Sequence, residues 1–169
     1  MYFFLFITYI SFPVYLFTLT RMSMQVYQVL ASKSIDAIFS ITKDTTVFHA
    51  LELMAEKNIG AVLVLEDGEL IGIFSERDYA RKVILMGRAS RETLIGDVMT
   101  EKVITVETDQ KIEDCMQIMS DKHIRHLPVN RKGELVGIIS INDIVSAIIR
   151  EQKAHIKSLE GYISGTPYA

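Results

Sequence analysis

A repeat with a period of 65 residues is the strongest constraint on this chain. Glu69-Leu-Ile-Gly-Ile-Phe-Ser-Glu-Arg-Asp78 is echoed by Glu134-Leu-Val-Gly-Ile-Ile-Ser-Ile-Asn-Asp143, and Gly68/Gly133, Gly72/Gly137, Ser75/Ser140 and Asp78/Asp143 all keep the same offset. A fixed spacing of this length means one supersecondary unit used twice. Each copy has an apolar run, then Ser, two variable residues and Asp, then a helical pattern. Whatever the chain does should therefore arise between two similar α/β units.

The elements of each copy follow from residue order. Val26, Val29 and Leu30 mark a short helix within 24–34, and Ala37-Ile-Phe-Ser-Ile41 reads as a short strand. Asp44 is placed to cap a helix whose apolar stripe is Val47, Ala50, Leu51 and Met54, ending at Lys57-Asn58. Ile59–Leu65 is nearly continuous apolar sequence, as in a strand buried on both faces. Asp67-Gly68 suits a hairpin turn with positive φ at both central residues. Leu70–Phe74 returns as a strand, and Ser75 opens a helix expected to run through Met86 until Gly87 stops it. The second copy repeats this: strand Val103–Val106, Asp109 at the helix start, the stripe Ile112, Cys115, Met116 and Met119, strand Ile124–Val129, turn Lys132-Gly133, strand Leu135–Ile139, and a last helix from Ser140. That helix outlasts the repeat through Ile156 and Leu159, so it has extra apolar surface to cover.

The fold class is therefore α/β, two tandem β-α-β-β-α units packed as a pseudo-two-fold pair, because one such unit leaves a sheet face it cannot cover alone. The expected division is residues 1–23 as an apolar N-terminal segment, 24–92 and 93–160 as the two units, and 161–169 as a frayed tail. With 49% apolar and 23% charged residues the chain can bury a real interior, and its net charge of −3 offers no general footprint for nucleic acid. The single Cys115 excludes an internal disulfide and lies on an apolar stripe, which makes it core rather than nucleophile; a reducing, cytoplasmic setting fits. Residues 2–20 carry no charge, close to the length that spans a bilayer, but Pro13 interrupts them and no basic residue precedes them. They read as an upstream extension, with Met22 or Met24 as alternative starts; an anchor or a packed helix are the rival readings.

The order of elements, with Gly-(Ile/Val)-x-Ser-x-x-Asp twice, resembles the tandem CBS-domain pair, the Bateman module. The resemblance runs from Ser34 to about Glu151, and Lys122-His-Ile-Arg-His-Leu-Pro-Val129 looks like the family's basic strand. It implies adenine nucleotides (AMP, ADP, ATP, sometimes NAD or S-adenosylmethionine) in clefts between the copies, no required cofactor, no metal, and often a dimer. By the same resemblance Asp78 and Asp143 are the ribose binders and Ser75 and Ser140 the phosphate-side contacts. An adenine pocket would be drawn from Ile38, Ser40, Ile59, Val103, Thr105 and Ile124.

Two readings of Ser75-x-x-Asp78 and Ser140-x-x-Asp143 stand side by side. Ser followed by an acid three residues later is a capping box, which local structure alone would justify. The same helix start can also face a cleft and attract phosphate, while a carboxylate accepts two bonds from vicinal ribose hydroxyls. Arg125 and His126 replace Gly60 and Ala61 of the first copy; Arg suits phosphate, and His adds a charge that varies near neutral pH. Strand alternation would aim them at opposite faces, and their presence predicts stronger phosphate binding at the second copy's cleft. Arg77 is a weaker phosphate candidate. His123 and His126, three apart on one strand, have the wrong spacing for a metal site. Gly72 and Gly137 inside strands call for a close approach, by a packing element or by adenine.

The expectation is a stand-alone, non-catalytic regulatory module that senses adenine nucleotide and reports to a separate effector protein. An enzyme is disfavoured, since no nucleophile has a base at readable spacing. A ligand-free dimerisation scaffold is the alternative, with Ser-x-x-Asp serving only as a cap.

Overall fold

The structure, a computed structural model, describes residues 24–33 and 38–164; the uncharged run at 2–20 lies outside the described residues. The elements are α1 (Val26–Ala31), β1 (Ser40–Ile41), α2 (Val47–Lys57), β2 (Ala61–Glu66), β3 (Glu69–Ser75), α3 (Glu76–Asp78), β4 (Val106–Glu107), α4 (Ile112–Lys122), β5 (His126–Arg131), β6 (Glu134–Ser140) and α5 (Ile141–Ser164). Two three-stranded sheets result, ordered β1-β2-β3 and β4-β5-β6. In each, a short parallel strand joins an antiparallel hairpin, and the hairpins carry equivalent irregularities, at Val64/Leu65 and Val129/Asn130. The duplicated sequence has folded into a duplicated structure.

The turns behave as their residues require. Asp67 and Gly68 take φ of 51° and 88°, and Lys132 and Gly133 take 54° and 87°. Asn58 and His123 each close a helix in the left-handed region, with φ of 52° and 53°. His123 is thus a helix cap, and it does not share a strand with His126.

Several local expectations are corrected. Thr46, not Asp44, caps α2, its hydroxyl accepting from His49 N at 3.3 Å, because a turn from Thr42 to Thr45 delays the helix start. Lys111 begins α4 without a side-chain cap, so Asp109 has no such role. The short strands pair only where a partner is in register, Ser40 and Ile41 with Leu63 and Val64, and Val106 and Glu107 with Val129 and Asn130. Residues 103–105 consequently leave the sheet. After one α turn the helix from Ser75 widens to a π-helical stretch, Tyr79–Ile84, with Leu85 N bonded to Ala80 O at 3.1 Å. It ends at Ile84, short of the expected Met86, and Gly87 at φ 66° closes the following turn, its N donating to Ile84 O at 3.1 Å. The last helix continues through Ser164, beyond the expected fraying point at Gly161.

The cores are not divided in chain order. Val47, Ala50, Met54, Val62, Val64, Phe74 and Val83 are buried with Ile95 and Val98, which follow the first copy's last helix. The second core joins Val106, Ile112, Cys115, Leu127, Val129, Ile139 and Ile144 to Val26 and Val29 of α1, from the far end of the chain. Backbone bonds fasten α1 there: Val26 N to Gln110 O and Tyr27 N to Thr108 O, both 2.9 Å, and Ile112 N to Met24 O, 3.0 Å. Residues before the first copy therefore complete the second. Among the described residues no helix is long and apolar enough to cross a membrane.

Candidate functional site: two clefts between the copies

Strand β3 ends at Ser75 and β6 at Ser140, and each chain turns directly into a helix. Both turns are complete capping boxes. Ser140 N and Oγ donate to Asp143 Oδ2 at 2.7 and 2.8 Å, and Asp143 N donates to Ser140 Oγ at 3.2 Å. Ser75 N and Oγ reach Asp78 Oδ2 at 3.1 and 2.6 Å, with Asp78 N returning to Ser75 Oγ at 3.3 Å. The cap reading is therefore true. It does not exclude a site, because both turns also wall clefts between the copies, and the side chains of Asp143 and Asp78 keep 25% and 16% of their exposure.

The cleft at Asp143, about 1020 Å³, sets Ser140, Asn142 and Asp143 of the second copy against Phe39, Leu51, Met54, Asn58 and Ile59 of the first. The cleft at Asp78, about 1110 Å³, sets Ser75, Arg77 and Asp78 against Ile104, Met116, Met119, His123 and Ile124. These walls are the same structural positions exchanged between copies, 65 residues apart. Each cleft thus joins a carboxylate-bearing turn from one unit to an apolar slot from the other.

Several sequence-predicted residues come together: Ile59 in the first cleft, Val103 and Ile124 in the second, and the two Ser-x-x-Asp turns. Ile38, Ser40 and Thr105 line neither cleft. Phe39 lines the Asp143 cleft and Ile104 the Asp78 cleft instead, both from segments just before the paired strands. Arg125 precedes β5 and escapes its alternation, so Arg125 and His126 both line both clefts. They do not favour one cleft over the other, which removes the basis for the expected preference. Arg77 reaches across the seam, and its guanidinium donates to the His123 carbonyl.

Three cleft residues escaped the sequence reading. Lys33, just past α1, donates to Ile138 O at 2.7 Å and lies 3.3 Å from Asp143 Oδ2. No local pattern announces it, since only the packing of α1 on the second core brings it there. Lys82 lies 2.8 Å from Asp78 Oδ1, four residues along its own helix, a spacing that was legible. Thr100 donates to the same oxygen at 3.1 Å, held beside β3 by a backbone bridge to Ile73. Asp78 therefore has both oxygens engaged, whereas Asp143 Oδ1 has no partner among the described residues.

The charges respond to this setting. Burial alone would push Asp143 up, but the Ser140 backbone and hydroxyl donors, with Lys33, outweigh it and hold the carboxyl below its ordinary 3.8. Burial dominates at His126 and pushes it below the usual 6.5; Asp143 and Glu76 oppose that shift, and Lys33 and Arg125 add to it. Cys115 is fully buried, and its burial raises the thiol to about 11, so it is core as expected.

Paired three-stranded units with exchanged helix starts facing a common seam define a duplicated module with two equivalent clefts. The CBS domain family matches residues 31–84 and 95–150, and the chain belongs to that family. It is 43% identical over 129 residues to the mitochondrial CBS domain-containing protein CBSX3 of Arabidopsis thaliana, covering 73% of this chain and 63% of that protein. The chain thus spans less than two thirds of that relative's length. A protein with CBS domains from Burkholderia ambifaria MC40-6, assigned to signal transduction, shares 45% identity and a TM-score of 0.74 over 76% of this chain and 96% of its own. The CBS domain pair of protein MJ0100, in complex with 5′-methylthioadenosine and S-adenosyl-L-methionine, shares the fold at 23% identity and a TM-score of 0.65, over 76% of this chain and 98% of its own.

Proposed function

We propose that this chain is a non-catalytic sensor of adenine nucleotides, AMP, ADP or ATP and also NAD, held in the clefts at Asp143 and Asp78. The observation that carries the reading is the pairing, in each cleft, of a carboxylate at a helix start with an apolar slot from the other copy. The carboxylate accepts ribose hydroxyls, and the slot at Leu51, Met54 and Ile59, or at Met116, Met119 and Ile124, receives the purine. Ser75, Ser140, Arg125 and His126 stand on the phosphate side. The MJ0100 complex illustrates that this fold accommodates adenosyl ligands.

Because each cleft has walls from both copies, a ligand bridges them and favours whichever packing it binds better. A ligand with equal affinity for both packings shifts nothing. The response passes to a separate effector, and a homodimer formed along α5 is the unit that carries it.

Thermal shift of the full chain against AMP, ADP, ATP, NAD and adenosine is the first test, since a ligand that binds only the native state raises Tm. Calorimetry then compares wild type with Asp143→Ala. The variant should fold and lose about tenfold or more in affinity for AMP, in line with loss of charge-assisted bonds. Unchanged affinity would remove Asp143 from the site. No shift with any nucleotide would leave the second reading, a ligand-free dimerisation module, which the complete capping boxes already allow.

A further inference from the structure

The two clefts share a backbone plan but not a charge. Around Asp78 stand six basic side chains, Arg77, Arg81, Lys82, Lys102, Lys122 and Arg125, against the carboxylates of Glu76 and Asp78. Among the described residues, the charged side chains around Asp143 are Lys33 and Arg125, against Glu76 and Asp143. The difference is written into the repeat, because Arg77, Arg81 and Lys82 become Asn142, Ser146 and Ala147 in the second copy. Duplication preserved the turn and changed what surrounds it. A cleft with an excess of one sign of charge concentrates the field on an anion, and among the described residues the excess around Asp78 is four positive charges, where the other cleft balances.

The sugar-binding oxygens differ in the same direction. Among the described residues no partner holds Asp143 Oδ1, so a nucleoside can bond to it without displacing any of them, although Lys33 lies on the other oxygen. Asp78 Oδ1 is held by Lys82 and Thr100. Lys82 also donates to Thr100 Oγ1 at 2.9 Å and Met99 O at 3.2 Å, so a ligand that takes the carboxylate leaves it these neutral acceptors unless it supplies another anion. A chain of phosphates can do so, and an uncharged nucleoside cannot.

We propose, resting on the adenine-nucleotide reading above, that the clefts divide ligands by charge. The Asp78 cleft takes a nucleoside di- or triphosphate, with Lys82 moving from the carboxylate to the phosphate chain. The Asp143 cleft takes an adenosyl ligand bearing one phosphate or none. The module then compares two ligand classes with two non-equivalent sites, and Arg81, Lys102 and Lys122 set the preference of the first.

Calorimetric titration of the full chain with ATP and with adenosine, at low and high salt, tests this in wild type, Arg81→Gln/Lys102→Gln, Lys122→Gln and Asp143→Ala. Arg81, Lys102 and Lys122 are exposed, so their removal leaves the cores intact, and thermal melting verifies that each variant is folded. The double variant should weaken ATP by about tenfold or more while adenosine stays within about twofold, and salt should weaken ATP far more than adenosine. Lys122→Gln should weaken ATP in the same sense by a smaller factor. Asp143→Ala should do the reverse, weakening adenosine and sparing ATP. Loss of ATP binding in Asp143→Ala, with none in the charge variants, overturns the division of labour, as does a parallel loss of both ligands in the double variant. Failure of wild type to bind either ligand, or any other nucleotide, overturns the sensor reading itself and the division with it.

Discussion

At the scale of single residues, His126 is the group whose protonation the clefts control. Burial beside Gly60, together with Lys33 and Arg125, keeps the imidazole neutral below its ordinary 6.5, against the pull of Asp143 and Glu76. The sign follows: the unfolded chain binds the proton more readily, so this group's contribution to stability is present above 6.5 and declines as pH falls through it. A phosphate placed near the ring would raise its pKa, so binding near pH 6 should take up a proton. Titration of ATP in buffers of different ionisation enthalpy should show more uptake in wild type than in His126→Gln at pH 6, and no difference at pH 8. Equal uptake in both proteins would place the phosphates away from His126. The residue was readable as a candidate, but its access to both clefts was not, because that depends on β5 starting at His126, one residue past Arg125.

At the scale of elements, Gly72 and Gly137 show how a strand position can be chosen by what crosses it. A Cβ on Gly137 would fall 2.9 Å from Leu30 Cδ2 of α1, and a Cβ on Gly72 would strike the Met99 side chain at Sδ. The sequence demanded a close approach at both positions; the structure assigns it to packing by α1 and by the segment after Ile95–Asp97, not to adenine. Gly72→Ala should destabilise the fold by about 1–3 kcal/mol through overpacking. Met99→Ala in the same chain should recover part of that loss, an interaction that urea unfolding of the double-mutant cycle measures. Strictly additive losses would show that Met99 is not the obstruction. Equivalent glycines thus meet side chains from unrelated elements, one following its copy and one preceding the other.

For the whole molecule, α5 has a face that the described residues leave uncovered. Val145, Ile149, Ile156 and Leu159 lie along one side of the helix and each is roughly half exposed. A self-complementary dimer would bury that stripe. Light scattering should give a dimer for the full chain and a monomer for Ile149→Glu/Ile156→Glu, with Tm little changed in the monomer's cores. A wild-type monomer, or a variant that stays dimeric, would place the stripe elsewhere. Arg150 on the same helix donates to Ser32 Oγ at 2.6 Å, beside the Lys33 that reaches Asp143. The Asp143 cleft and α5 are therefore joined by one short segment.

The amino-acid order alone determined the duplicated unit, its hairpins, its helix stripes and the two Ser-x-x-Asp turns, because these depend on periodicity and on residues whose backbone preferences act locally. Tertiary structure decided the rest. Which copy α1 completes, that Lys33 meets Asp143, and that Lys102 and Lys122 join Arg77, Arg81 and Lys82 around one cleft depend on segments remote in sequence meeting across a seam, and no local pattern encodes that meeting.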